Sequence, residues 1–253
     1  MLEQILPAEI FAIMLIFVRV GGAVMLLPGY GEPFVSPRLR LLLALMVSFV
    51  VAPVLSHTLP KMPDSAPLLT LLILGEVVIG VFIGTIARMF IAALTTAGML
   101  IGYMSSMANA LTNDPSAAQQ GSIAGSFLTL VALLTIMTLN LHHLLLMAVV
   151  DSYDLFVPGQ VPPVADFAEM VTRTMSDTFL LSFQIAAPFV VVGLIFYLGL
   201  GLLGRLMPQM QVFFVAMPLQ IMVGLAVLFI ALPVTVRWFI DSLEGRMLPF
   251  VGP

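Results

Sequence analysis

Residues 68–121 read LLTLLILGEVVIGVFIGTIARMFIAALTTAGMLIGYMSSMANALTNDPSAAQQG. Apolar character runs from Leu68 to about Leu111, and a small, polar stretch follows with Asn113, Asp114 and Pro115 at its middle. As one α-helix, about 44 residues would reach about 66 Å, twice a bilayer core of about 30 Å. This arithmetic predicts a break, placed at TTAG (95–98). Residues 99–111 then form a helix too short to span, the polar segment follows, and a long helix over Ile123–Val150 returns. The outcome is a re-entrant hairpin, tolerated at membrane depth only where protein or water surrounds its backbone.

The rest of the chain agrees with a membrane setting. Of 253 residues 61% are hydrophobic and 9% charged, against roughly a quarter charged in soluble domains. Mean hydropathy is +1.16. The expected fold is all-α and polytopic, because unpaired backbone in lipid is too costly. It has about six long hydrophobic helices in kinked hairpins plus the re-entrant hairpin, in one domain over residues 1–253. The apolar stretches are Ile5–Leu27, Leu39–Leu55, Leu68–Leu94, Ile123–Val150, Phe179–Leu203 and Val212–Ile240. Only RLMPQMQ (205–211) separates the last two, which predicts an antiparallel hairpin. The 151–178 connection carries Asp151, Asp154, Asp166, Glu169 and Asp177 against Arg173, and reads as an exposed acidic face.

Several classes of chemistry find no support. There is no cysteine, so disulfides, thiolate metal sites and thiol catalysis are excluded. A net charge of −4 gives no sign of nucleic acid. MLEQILPAEI lacks a basic n-region, so it is not read as a cleavable signal. His142 and His143 point about 100° apart on a helix and only His57 remains elsewhere, which does not make convergent metal ligands. Ser122 and Ser126 have no nucleophile motif around them. No enzyme activity and no cofactor are expected.

Charges inside apolar stretches are costly and must face other helices, a partner or water. Arg19, Glu76 and Arg88 are such charges. Glu76 and Arg88 lie about 18 Å apart along one helix and cannot pair with each other there. They open the reading of an ion or proton pathway, as in a proton-coupled secondary transporter of a small solute. The plainer reading is an interface salt bridge or a snorkelling end. Loop basic residues do not orient the chain: Arg38, Arg40 and Arg205 stand on one side, and Lys61, Arg173, Arg237 and Arg246 on the other. Gly80–Gly84, Gly98–Gly102 and Gly121–Gly125 have the spacing that lets helix backbones approach. Pro188, Pro218 and Pro233 invite kinks. Met99, Met104 and Met107 lead into the polar segment, and Met207, Met210, Met217 and Met222 follow the fifth stretch. Such side chains re-pack readily, as a deformable seal requires.

These residues, taken in order, resemble a known family. RLMPQMQVFFVAMPLQIMVGL (205–225) looks like the signature of the FliR/SctT family of type III secretion export-gate proteins. FVRVGGAVMLLPGYGEPFVSPRLRLLLAL (17–45) is similar to that family's opening. The Glu76–Gly84 run, Asp114-Pro115, Asn140 with His142 and His143, and QIAAPFVV (184–191) also fit in order. The resemblance spans essentially the whole chain and is closer to the flagellar than to the injectisome branch. Gln211 departs from the asparagine often found there.

The resemblance implies a subunit of a helical export gate in the flagellar basal body, at the bacterial inner membrane and partly raised toward the periplasm. It implies FliP-like and FliQ-like membrane subunits, other export-apparatus membrane proteins and lipid as neighbours, and unfolded secreted substrates in transit. The segment matching the family's pore plug is Ser105–Ser122, with Ser105, Ser106, Met107, Asn109, Leu111, Thr112, Asn113, Asp114, Pro115, Gln119 and Gln120. Asp114 and Pro115 suit the start of a short helical turn that Gly121 ends. A turn of such small residues has few apolar contacts to lose, as a movable closure needs. Arg205, Pro208, Gln209 and Phe213, at the turn of the last hairpin, are expected to dock against neighbouring gate subunits.

Overall fold

The computed structural model describes residues 2–55, 58–63, 65–107, 122–160, 162–207 and 212–251, with residues 2–8 and 212–215 as backbone only. Helices α1 (Leu2–Val24), α2 (Pro37–Leu55), α3 (Ala66–Met104), α4 (Ile123–Thr138), α5 (Leu141–Leu155), α6 (Val164–Leu206) and α7 (Val212–Met247) are followed by a 3₁₀ turn at Leu248–Phe250. The described residues contain no strand. Helices α2, α3 and α6, and residues Ala216–Phe250, are each long and apolar enough to cross a membrane, and the bent α4–α5 pair adds a fifth span if taken as one. The chain is an all-α polytopic membrane protein. Its apolar stretches fall in order on α1, α2, α3, the α4–α5 pair, α6 and α7.

The break expected at 95–98 is absent. Helix α3 runs 39 residues without interruption, about 58 Å. Two local features carry it through TTAG. The Thr95 and Thr96 hydroxyls donate to the Ala92 carbonyl at 2.8 and 2.9 Å, so these polar groups are satisfied within the helix. Gly98 serves a helix crossing instead of a turn: a Cβ there would overlap the Gly125 backbone of α4. Bilayer thickness is no upper limit on helix length, because a long helix tilts or extends past the hydrocarbon. Residues 99–104, expected to open a separate short helix over 99–111, are instead the end of α3. The last turns of α3 lead directly to Ser105, and residues 108–121 lie outside the described residues.

The return helix, expected unbroken over Ile123–Val150, is in fact two. Helices α4 and α5 meet at a bend of 75°. Asn140 makes it, with φ 59° and ψ 18°, a left-handed conformation that asparagine adopts more readily than most residues. The acidic connection also shrinks. Asp151 and Asp154 belong to α5, while Asp166, Glu169 and Asp177 lie on α6, where Glu169 pairs with Arg173 one turn on. Arg173, Arg237 and Arg246 are likewise helical, so the loop-charge count rested on segments that are not loops. Pro188, Pro218 and Pro233 sit within α6 and α7, which continue through them.

The chain resolves into two compact units. One comprises Met1–Met89, Ile136–Thr174 and Leu243–Pro253; the other comprises Phe90–Thr135 and Met175–Ser242. The first has an aromatic centre: Phe82 stacks on Phe167 with centroids 4.0 Å apart, and Phe156 and Phe250 meet Phe82 edge-on. In the second, Leu94 of α3, Leu128 and Ala132 of α4, and Phe239 of α7 pack together. Large apolar side chains remain exposed along α2, α6 and α7, among them Phe49, Val50, Leu198, Leu202, Phe229 and Ile230. These faces suit lipid or neighbouring subunits.

Candidate functional site

The first unit is organised around a buried ion pair. Arg19 of α1 and Glu76 of α3 are 0% and 1% exposed, and the Arg19 Nε donates to Glu76 Oε2 at 2.6 Å. The rest of the guanidinium is also engaged. Nη1 donates to the Ser152 hydroxyl at 3.2 Å, and Nη2 to the Phe156 carbonyl at 2.9 Å. Its carbon lies 3.7 Å from the centroid of the Tyr153 ring, a cation–π geometry. Glycines allow the approach: a Cβ on Gly80 would collide with the Arg19 carbonyl oxygen, and one on Gly84 would meet Ala23 of α1 and Leu26 just beyond it. One arginine thus joins α1, α3 and the end of α5. Charges buried in this way are tolerated because they are paired and hydrogen-bonded.

Arg88 makes a second, more exposed pair, donating from Nη1 to Glu32 Oε1 at 2.7 Å. Glu32 sits in PGYGEPF (28–34) and is itself buried. Arg40 donates to the carbonyls of Glu32 and Val35 at 2.6 and 2.9 Å. The glycine- and proline-rich connection after α1 is thus clasped from two sides.

In the second unit, the two described ends of the polar segment are held by side-chain hydrogen bonds. Helix α3 stops at Met104, and Ser106 takes φ 57°, a left-handed stop more usually supplied by glycine. The Ser106 hydroxyl donates to Gln220 Oε1 at 2.8 Å, and Gln220 Nε2 donates to the Met104 carbonyl at 2.7 Å. The Ser105 hydroxyl donates to the Ile101 carbonyl. Ser105, Ser106, Met107 and Gln220 are all buried. Gly224 of α7 and Gly193 of α6 make room: a Cβ on Gly224 would collide with Ser105, and one on Gly193 would press on Met104 at 3.2 Å. At the other end the Ser122 hydroxyl donates to the Gly98 carbonyl at 2.6 Å.

Of the residues singled out in the polar segment, Asn109, Leu111, Thr112, Asn113, Asp114, Pro115, Gln119 and Gln120 lie outside the described residues. Arg205 is exposed at the end of α6; Pro208 and Gln209 lie outside the described residues, and Phe213 is described only as part of the α7 backbone. Met99 is partly exposed and Met222 largely so. The His142 and His143 rings stand 4.1 Å apart. Among the described residues no group of three or more metal-ligating side chains converges. Sequence reasoning missed Glu32, Ser152, Tyr153 and Gln220. Only Gln220 had a visible signal, a lone carboxamide in an apolar stretch, where polar side chains often join helices.

These features define a class: a helical membrane protein held by buried polar pairs, with a polar segment anchored at both ends. A match to the bacterial export proteins, family 1, covers residues 10–245. The flagellar biosynthetic protein FliR of Caulobacter vibrioides is 37% identical over 88% of this chain and 89% of its own length. That of Bacillus subtilis is 31% identical over 88% and 86%, and that of Escherichia coli 28% over 85% and 82%. The chain belongs to the bacterial export proteins, family 1, and is a membrane component of flagellar protein export.

Proposed function

We propose that the chain is a non-enzymatic gate subunit of the flagellar export apparatus in the bacterial inner membrane. It closes an assembly formed with FliP-like and FliQ-like membrane subunits and stands partly toward the periplasm. Residues 105–122 occupy the path of unfolded substrates and seal it between passages. The carrying observation is the anchoring of both described ends of that segment, Ser106 on Gln220 and Ser122 on the Gly98 carbonyl. Fixed ends set where such a segment begins and finishes, as a seal across a path requires. The exposed apolar faces of α2, α6 and α7 support a place among other subunits, and Arg205, Pro208, Gln209 and Phe213 would take part in that docking. Arg19 and Glu76 bind each other, which favours a structural use of these charges over transport of a small solute.

The test is ion leakage in membranes carrying the complete apparatus. Removing Asn109–Gln119 is expected to raise leakage while the subunit still co-purifies with two other small hydrophobic proteins. Unchanged leakage in an assembled complex would refute the closure.

A further inference from the structure

Helix α3 ends without any residue that commands an ending. After Met104 the sequence reads SSMANAL, free of glycine and proline up to Leu111 and rich in residues compatible with a helix. The stop is nevertheless sharp, and it places serine rather than glycine in the left-handed region. Such a conformation disfavours a residue with a side chain, so something must hold it. The only side chain among the described residues that bonds both sides of this turn is Gln220. Its carboxamide oxygen accepts from Ser106, and its nitrogen donates to Met104, the last helical residue. Both polar ends of the amide are thereby used at a site 3% exposed. The glycine at 224, one turn further along α7, clears the space Ser105 occupies.

We propose that Gln220 is a positioning residue of the gate: its carboxamide, reaching from α7, sets where α3 ends and hence where the polar segment begins. The proposal rests on the reading of residues 105–122 as the seal. With Gln220 in place, α3 stops at Met104 and Met107 stays buried. Without it, Ser106 returns to right-handed geometry and the helix winds onward.

The chain has no cysteine, so Met107→Cys gives a single reporter. Its maleimide labelling rate is measured alongside ion leakage in membranes carrying the complete apparatus. Gln220→Leu is expected to speed labelling about tenfold to a hundredfold, the effect of losing two buried hydrogen bonds, and to raise leakage. Adding Ser106→Gly should return both toward the parent values, because glycine takes the left-handed conformation unaided. Adding Ser106→Ala should not. A purely space-filling Gln220 would make the two double variants alike. Parent-rate labelling in Gln220→Leu, or equal behaviour of the doubles, overturns the proposal. Should Gln220→Leu not assemble, Ser106→Ala alone decides: several-fold faster labelling supports the role and an unchanged rate overturns it. The variant lacking residues 109–119 separates the two levels. If that deletion raises leakage and Gln220→Leu does not, the positioning role fails and the seal stands. If the deletion leaves leakage unchanged, the seal fails, and the labelling rates still decide what Gln220 does.

Discussion

Replacing Arg19 by methionine leaves the Glu76 carboxylate buried at 1% exposure with its 2.6 Å partner gone. Stranding one member of a buried pair costs about 3–5 kcal/mol, more than the intact pair is worth against an apolar substitute. The bonds to Ser152 and to the Phe156 carbonyl go as well. The Ser152 hydroxyl still has the Val149 carbonyl as acceptor, so the added loss falls mainly on Phe156, about 1 kcal/mol. Glu76→Met strands Arg19 in the same sense. The double variant removes both charges and keeps the volume, so it should lie within about 2 kcal/mol of the parent and be more stable than either single. The assay is retention of folded chain after graded heating of the detergent-solubilised apparatus. At about 2–4 °C per kcal/mol for a chain of this size, Glu76→Met should lose roughly 6–20 °C, Arg19→Met roughly 8–24 °C and the double only a few degrees. Arg88→Met is the internal contrast: the Arg88 side chain is 37% exposed although Glu32 is buried, so its loss should fall between the roughly 1 kcal/mol or less of an open pair and the roughly 3–5 kcal/mol of a fully buried one. Singles indistinguishable from the parent, or a double no better than the worse single, would refute the claim that this pair holds α1, α3 and α5 together.

Two further predictions concern backbone geometry. Gly80→Ala pushes a methyl into the Arg19 carbonyl and should destabilise by about 1–3 kcal/mol, whereas Gly199→Ala on α6 meets open space and should stabilise by about 0.5–1 kcal/mol; the same heating assay ranks the two. At the α4–α5 bend, Asn140→Gly should be tolerated and Asn140→Ala should cost about 1 kcal/mol, because φ 59° suits glycine and disfavours a plain Cβ. Equal steady-state levels of the two Asn140 variants would count against a strained left-handed hinge.

What could be read in the amino-acid order was what depends on composition and on runs along the chain. Long apolar stretches compel helices in lipid because every backbone group must bond within its own segment, so the all-α membrane class was legible before any coordinates. The spacing of Gly80 and Gly84 was visible too, but not which helix each would receive. Length arithmetic went astray at Thr95–Gly98, because it took bilayer thickness as a ceiling, and two threonine hydroxyls bonded to Ala92 let α3 continue. The bend at Asn140 was hidden as well, since the presence of an asparagine in an apolar run does not reveal its left-handed conformation.

Partnerships were decided only by the tertiary structure. The sequence signalled that Arg19 and Glu76 were expensive where they stood, yet they are 57 positions apart, and nothing in either neighbourhood names the other. Gln220 and Ser106 are 114 positions apart, and the end of α3 follows from their meeting rather than from the residues at the end itself. Hydrophobicity and helix formation are properties of neighbours in the chain. Pairing of buried polar groups is a property of neighbours in space, where the cost of an unmet hydrogen bond selects one partner among many.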